Sequence, residues 1–154
     1  MAAPILRLDD FLPYRLSYTS NLVSDAIAQS YEALFGLRIP EWRLIAVIAE
    51  SGGITQLEIG QRTRMDKVTV SRAAITLASR SLIKRKRNPD DGRSHQLWLS
   101  KAGEALYARV APKALELEAT IFGEFTGEEC ATLRRLLRRI DAAVLHPDPF
   151  ATDG

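Results

Sequence analysis

Residues 55–100 read TQLEIGQRTRMDKVTVSRAAITLASRSLIKRKRNPDDGRSHQLWLS, and the order of signals inside them decides the fold. Thr55 to Glu58 spells a capping box: the Thr55 hydroxyl can accept from the Glu58 amide while the Glu58 carboxylate reaches back to the first amide. A short helix therefore begins at Thr55 and ends near Arg62. Asp66 is a good N-cap for the next helix, in which Val70, Ala74 and Leu77 recur at i, i+4 and i+7 and mark a buried side. Two short strand-like segments follow, LIKRKR and HQLWLS, joined by the turn-rich NPDDGRS. Together they read as a β-hairpin with a tip of several residues.

Outward from this stretch the chain is helical on both sides. Leu12 to Phe35 reads as one helix, with Pro13 suited to a first turn and Gly36 to the residue after the last. Pro40 opens another, PEWRLIAVIAE, whose Trp42, Ile45, Ala46 and Ile48 predict a buried stripe before Gly52 and Gly53 stop it. Beyond the hairpin, Ser100 can cap a helix running to about Phe122. A second capping box at Thr126 to Glu129 starts a last helix that ends before Pro147 and Pro149. The fold class is thus mainly α with a small β-hairpin wing, six helices and two strands. Two consecutive helices joined by a tight turn and followed at once by a basic hairpin make a winged helix-turn-helix. In that motif one helix enters the major groove and the hairpin tip reaches the backbone or the minor groove.

Bulk composition excludes more than it chooses. With 154 residues, 46% hydrophobic and 26% charged, the chain reads as one ordinary globular domain over 1–154. Cys130 is its only cysteine, which excludes an internal disulfide and a thiolate metal cage and fits a reducing, cytoplasmic setting. Asp9 and Asp10 interrupt the N-terminal stretch where a signal peptide needs apolar residues, and no window reaches the ~18 apolar residues of a membrane span. Net charge is only +2, but its distribution is uneven: Ile54 to Ser100 carries ten basic and four acidic residues, +6, and the remainder is −4. A basic middle between acidic arms is expected when one segment meets phosphate.

Centring the buried face of the second quoted helix on Val70 and stepping about 100° per residue turns Val68, Thr69, Arg72 and Ile75 outward, with Lys67 and Ser71 on the flanks. Arg72 can donate twice to a guanine edge, Thr69 and Ser71 can serve base or phosphate, and Val68 can pack on a thymine methyl. The plain alternative is a solvated helix face, for which exposed Val68 and Ile75 are poor choices. The first hairpin strand carries Lys84, Arg85, Lys86 and Arg87, which alone would read as a solvated face but after a recognition helix read as phosphate contacts. Arg93 can enter a minor groove with Asp91 holding its guanidinium, or Asp91 can be only a turn former.

At these residues the sequence resembles the MarR family of multiple-antibiotic-resistance regulators. The matching stretch is MDKVTVSRAAITLASRSLIKRKRNPDDGRSHQLWLSKAGEAL, above all Asp91-Gly92-Arg93, the D-x-R of the family's wing. Gly92 stands where many members have a second arginine. The resemblance implies a homodimer joined through the helices of 12–36 and 101–145, with 37–100 as the DNA-binding lobe. It also implies a palindromic double-stranded operator and a repressor released by a small effector. FLPYRLSYTSNLVS and IPEWR look similar to a subgroup that includes regulators of aromatic-acid catabolism, some answering to aromatic acyl-CoA thioesters. A ligand cleft implied by the family could then be lined by Tyr14, Tyr18 and Trp42, with Arg15, Arg38 or Arg43 meeting an anionic group. Their alternative is core packing and surface charge.

Other classes fit less well. His95 and His146 have no evident Ser or Cys partner, Glu128-Glu129 reads as helix-start electrostatics, and Gly52-Gly53 lacks a phosphate-loop lysine, so no catalytic residue, cofactor or metal is expected. Cys130 reads as a packed thiol, with a redox sensor as the alternative. The leucine-rich last helix also suits a protein-interaction module, although dimerisation explains its stripe equally well.

Overall fold

The computed structural model describes residues 2–147, so Pro149 lies outside the described residues. After a 3₁₀ turn at Leu8–Asp10 come α1 (Leu12–Phe35), α2 (Ile39–Ser51), β1 (Ile54–Thr55), α3 (Gln56–Thr63) and α4 (Lys67–Ser79). Then follow β2 (Ile83–Arg87), β3 (His95–Leu99), α5 (Lys101–Phe122) and α6 (Gly127–Leu145). The helix ends obey their local signals. Gly36 takes the left-handed conformation after α1, and Gly52 does the same after α2. Thr55 and Thr126 close reciprocal capping boxes with Glu58 and Glu129.

The structure corrects the strand count. Ile54 and Thr55 pair antiparallel with β3, Ile54 opposite Leu97 and Thr55 opposite Gln96, giving a three-stranded sheet ordered β1-β3-β2. A two-residue strand carries no periodicity, and its partner lies far along the chain. The α2 stripe is also rotated: Leu44, Ile45 and Ile48 are buried together with Glu41, whereas Trp42 and Ala46 are only half-buried. Glu41 accepts from the Arg38 amide at 3.2 Å, so its carboxylate serves the start of the helix.

The described chain parts between Leu115 and Glu116 into two compact units. In the first, Leu37, Leu44, Ile45, Ile59, Val70, Ala74, Leu77, Leu97 and Val110 form an apolar centre. The buried side of α4 is therefore fixed by Val70, Ala73, Ala74 and Leu77, which leaves its other side to solvent. Gly53, at φ +112°, lies directly under the Trp98 ring, and a Cβ there would collide with it. In the second unit α6 buries no residue of its own, and Phe122 and Phe125 pack with ring centroids 5.8 Å apart.

Candidate nucleic-acid interface

The interface is built on α4. Asp66 caps it: one carboxylate oxygen accepts from the Thr69 amide at 2.7 Å and the other from the Thr69 hydroxyl at 3.0 Å. These bonds favour the ionised form and hold the Asp66 carboxyl below its ordinary value of 3.8. Thr69 is consequently half-buried and its hydroxyl proton is engaged in the cap, leaving it only an acceptor for a base or phosphate donor. Lys67, Val68, Arg72 and Ile75 are exposed, and Ser71 is half-buried on the flank. Val68 and Ile75 expose 58% and 59% of their surface, so the outward face combines apolar contact with one guanidinium.

The wing divides its cations between two faces. Period-2 alternation turns Lys84 and Lys86 to the side of Trp98, while Arg85 and Arg87 share the side of Leu97 and His95. Lys86 sits 4.7 Å from the centroid of the Trp98 ring, a cation–π contact that limits its reach. On the opposite side a cleft of about 400 Å³ opens between the start of α3 and the wing, bordered by Gln56, Glu58, Arg85, Asn88, Arg93 and His95. This gathering of Arg85 and Arg93 beside the first turn of α3 was not legible in the sequence, where His95 had only a catalytic reading to weigh.

The wing tip is held by its own hydrogen bonds. Asn88 donates to the Ser94 hydroxyl at 3.0 Å, and the Asp90 amide donates to the Asn88 side-chain oxygen at 3.1 Å. The Asp91 carboxylate accepts from the Arg93 backbone N–H at 3.0 Å. Asp91 is thus a turn former here, and among the described residues no side-chain ion pair joins it to Arg93. Two other arginines of the basic segment are spent internally. Arg62 binds Ser51 at 2.9 Å and Glu50 at 2.8 Å, and Arg80 donates to the Gly36 and Phe35 carbonyls at the end of α1.

The six ligand candidates do not converge. Tyr14, Arg15 and Tyr18 cluster early in α1, with Arg15 5.2 Å from the Tyr18 centroid. Trp42 instead packs between Tyr31 at 5.5 Å and Tyr107 at 6.0 Å, nearly parallel to the latter. Burial pushes the Tyr31 phenol up. Tyr18 and Tyr31 are separated along one continuous helix by about 20 Å at 1.5 Å per residue, so one protomer cannot bring both clusters to one small ligand. Arg38, which caps α2, and Arg43 on that helix are both exposed. Cys130 borders an apolar cleft of about 440 Å³ with Phe122, Phe125, Leu133 and Leu137.

Residues 35–94 match the profile of the MarR family. The fold overlays on a probable transcriptional regulator from Pseudomonas aeruginosa at a TM-score of 0.76 and 30% identity, covering 87% of this chain and 99% of that one. The chain belongs to the MarR family. Its sequence is also 26% identical to the transcriptional regulator HosA of Escherichia coli O111:H- over 101 residues, 66% of this chain and 75% of HosA. The fold is shared with BpsR of Bordetella bronchiseptica, whose DNA binding is regulated by 6-hydroxynicotinic acid, at a TM-score of 0.81 and 19% identity over 90% of this chain and 98% of BpsR. MarR-family proteins are DNA-binding transcriptional regulators and not enzymes. Among the described residues no helix is long and apolar enough to cross a membrane.

Proposed function

We propose that this MarR-family chain is a cytoplasmic, homodimeric repressor that lays α4 in the major groove of a palindromic operator and releases it when a small anionic aromatic ligand binds. The observation that carries the reading is the outward face of α4, where half-exposed or more exposed Val68, Ile75 and Arg72 stand beside a wing of four cations. An apolar-plus-guanidinium face is costly in water and useful against base edges. Arg72 reads a base, and Arg85, Lys86, Arg87 and Arg93 hold phosphates. Dimerisation is typical of the family, and a two-fold dimer presents two such faces about 34 Å apart, one turn of duplex.

Arg72→Ala is expected to lose about 1 to 3 kcal/mol on the selected operator and to relax preference at one base position, whereas Lys86→Ala weakens all duplexes alike. Competition between the operator and point-substituted duplexes separates the two; unchanged preference in Arg72→Ala overturns the assignment.

The ligand reading draws support from the exposed arginines Arg38, which caps α2, and Arg43 on that helix, from the stacked Trp42 and Tyr107 rings, and from BpsR, a protein of the same fold whose DNA binding is regulated by 6-hydroxynicotinic acid. Aromatic carboxylic acids and their CoA thioesters are the class to screen. A coupling of about 1 to 3 kcal/mol lowers operator affinity roughly 5- to 150-fold, and linkage requires the operator to weaken ligand binding by the same factor. Calorimetric titration of the best screened acid with and without operator measures both; equal affinities mean that its site is not regulatory.

A further inference from the structure

Arg64 ends α3 with φ 61° and ψ 16°, in the left-handed region. Among the described residues Ser81 is the other non-glycine with positive φ. A Cβ makes this conformation unfavourable, which is why helices usually end there in glycine or asparagine. The ends of α1 and α2 follow that rule with Gly36 and Gly52. The Arg64 side chain returns nothing to the fold: it is exposed, and among the described residues it has no hydrogen bond, ion pair or ring contact. Arg62, two positions earlier, is tied down by Ser51 and Glu50. A strained residue without an intramolecular partner points to a use outside the fold.

Its position says what that use is. The strained corner leads in two residues to Asp66, the cap of α4, and then to exposed Lys67 and Val68. With α4 laid in the groove, a cation here would stand where the duplex offers phosphate oxygens, which a guanidinium takes in a bidentate fork. We propose that Arg64 is a phosphate contact at the helix-turn-helix corner, kept there against the conformational preference of the backbone. This rests on the placement of α4 in the groove proposed above.

Stability and binding are expected to move in opposite directions, measured on the full chain and a mixed-sequence DNA duplex long enough for both recognition helices. Arg64→Gly relieves the backbone and removes the charge. Its melting temperature is expected to rise by about 2 to 4 °C at equal protein concentration. Duplex affinity is expected to fall roughly tenfold for the dimer, and the slope of log affinity against log salt to become shallower by about 0.9 per protomer. Arg64→Lys keeps charge and backbone conformation, and should retain the wild-type melting temperature and most of the affinity. An Arg64→Gly protein with unchanged affinity and salt slope overturns the proposal, as does one that melts no higher than wild type. If Arg72→Ala loses operator preference while Arg64→Gly binds normally, only the corner contact fails. If both bind as wild type, the placement of α4 fails with it.

Discussion

Replacing Gly103 by alanine is expected to destabilise the protein by about 3 kcal/mol, one methyl group acting through a backbone collision. Gly103 is buried in the first turn of α5, and a Cβ there would run into the Leu82 carbonyl oxygen. That oxygen already accepts from the Ser100 amide at 3.0 Å, while the Ser100 hydroxyl donates to the Ser81 carbonyl at 2.6 Å and accepts from the Gly103 amide at 3.0 Å. The start of α5 is thus docked on residues 81–82 through backbone groups that cannot swing aside as a flexible side chain would. Pushing them apart strains these bonds, each worth about 0.5 to 1.5 kcal/mol, and opens the packing of buried Leu82. Alanine's better helix propensity returns at most about 1 kcal/mol. Gly127 supplies the control: a Cβ there meets nothing within 4 Å at the start of α6, so Gly127→Ala should be neutral or slightly stabilising. Urea denaturation of the pair reads the contrast directly. A Gly103→Ala protein as stable as wild type would show that the α5 start is not docked on residues 81–82 in this way.

What was legible in the sequence is what local chemistry controls. The Asp66 cap needs only Thr69, three residues on, and the two threonine capping boxes are equally short-range, so α3, α4 and α6 begin where their side chains say. Glycine's tolerance of positive φ marks the ends of α1 and α2 in the same local way. What escaped depends on partners distant in the chain. β1 exists only because β3 pairs with it. Arg80 looks like one more cation of a basic segment, yet it serves the carbonyls at the end of α1, 44 and 45 residues away. Trp42 matches an apolar stripe, but its ring lies between Tyr31 and Tyr107, and neither contact is encoded in the spacing of α2. For the wing, the alternation that sets Lys86 on Trp98 and Arg85 across from it follows from β periodicity alone, but which face looks into the cleft waits on the burial of Leu97.

Placing two carboxylates on α6, Leu136→Glu with Ile140→Glu, is expected to dissociate the proposed dimer and to lower operator affinity by about 10³-fold or more, toward the non-specific level. The reason begins with the pattern of the helix, in which Leu133, Leu136, Leu137 and Ile140 recur at helical spacing between pairs of arginines. Each of the four leaves 41% or 42% of its surface open, and α6 has no buried residue. Covering the open part of one such side chain is worth about 1 kcal/mol, and the four are repeated on each protomer of a two-fold pair. Neighbouring Val144 is 73% exposed and extends the stripe, and Leu12 and Leu22 leave further apolar surface open on α1. A glutamate has no partner in such a seam and costs more than the leucine contributed, because an unpaired charge must be stripped of water. Glutamate retains helix propensity, so the circular-dichroism signal of the variant should match wild type while light scattering gives the mass of one chain. A monomer would carry one recognition helix to one half-site, and the second half-site would no longer add to the binding free energy. Wild-type protein that scatters as a monomer at micromolar concentration overturns the dimer, and a double variant that stays dimeric shows that the seam is not on this face of α6.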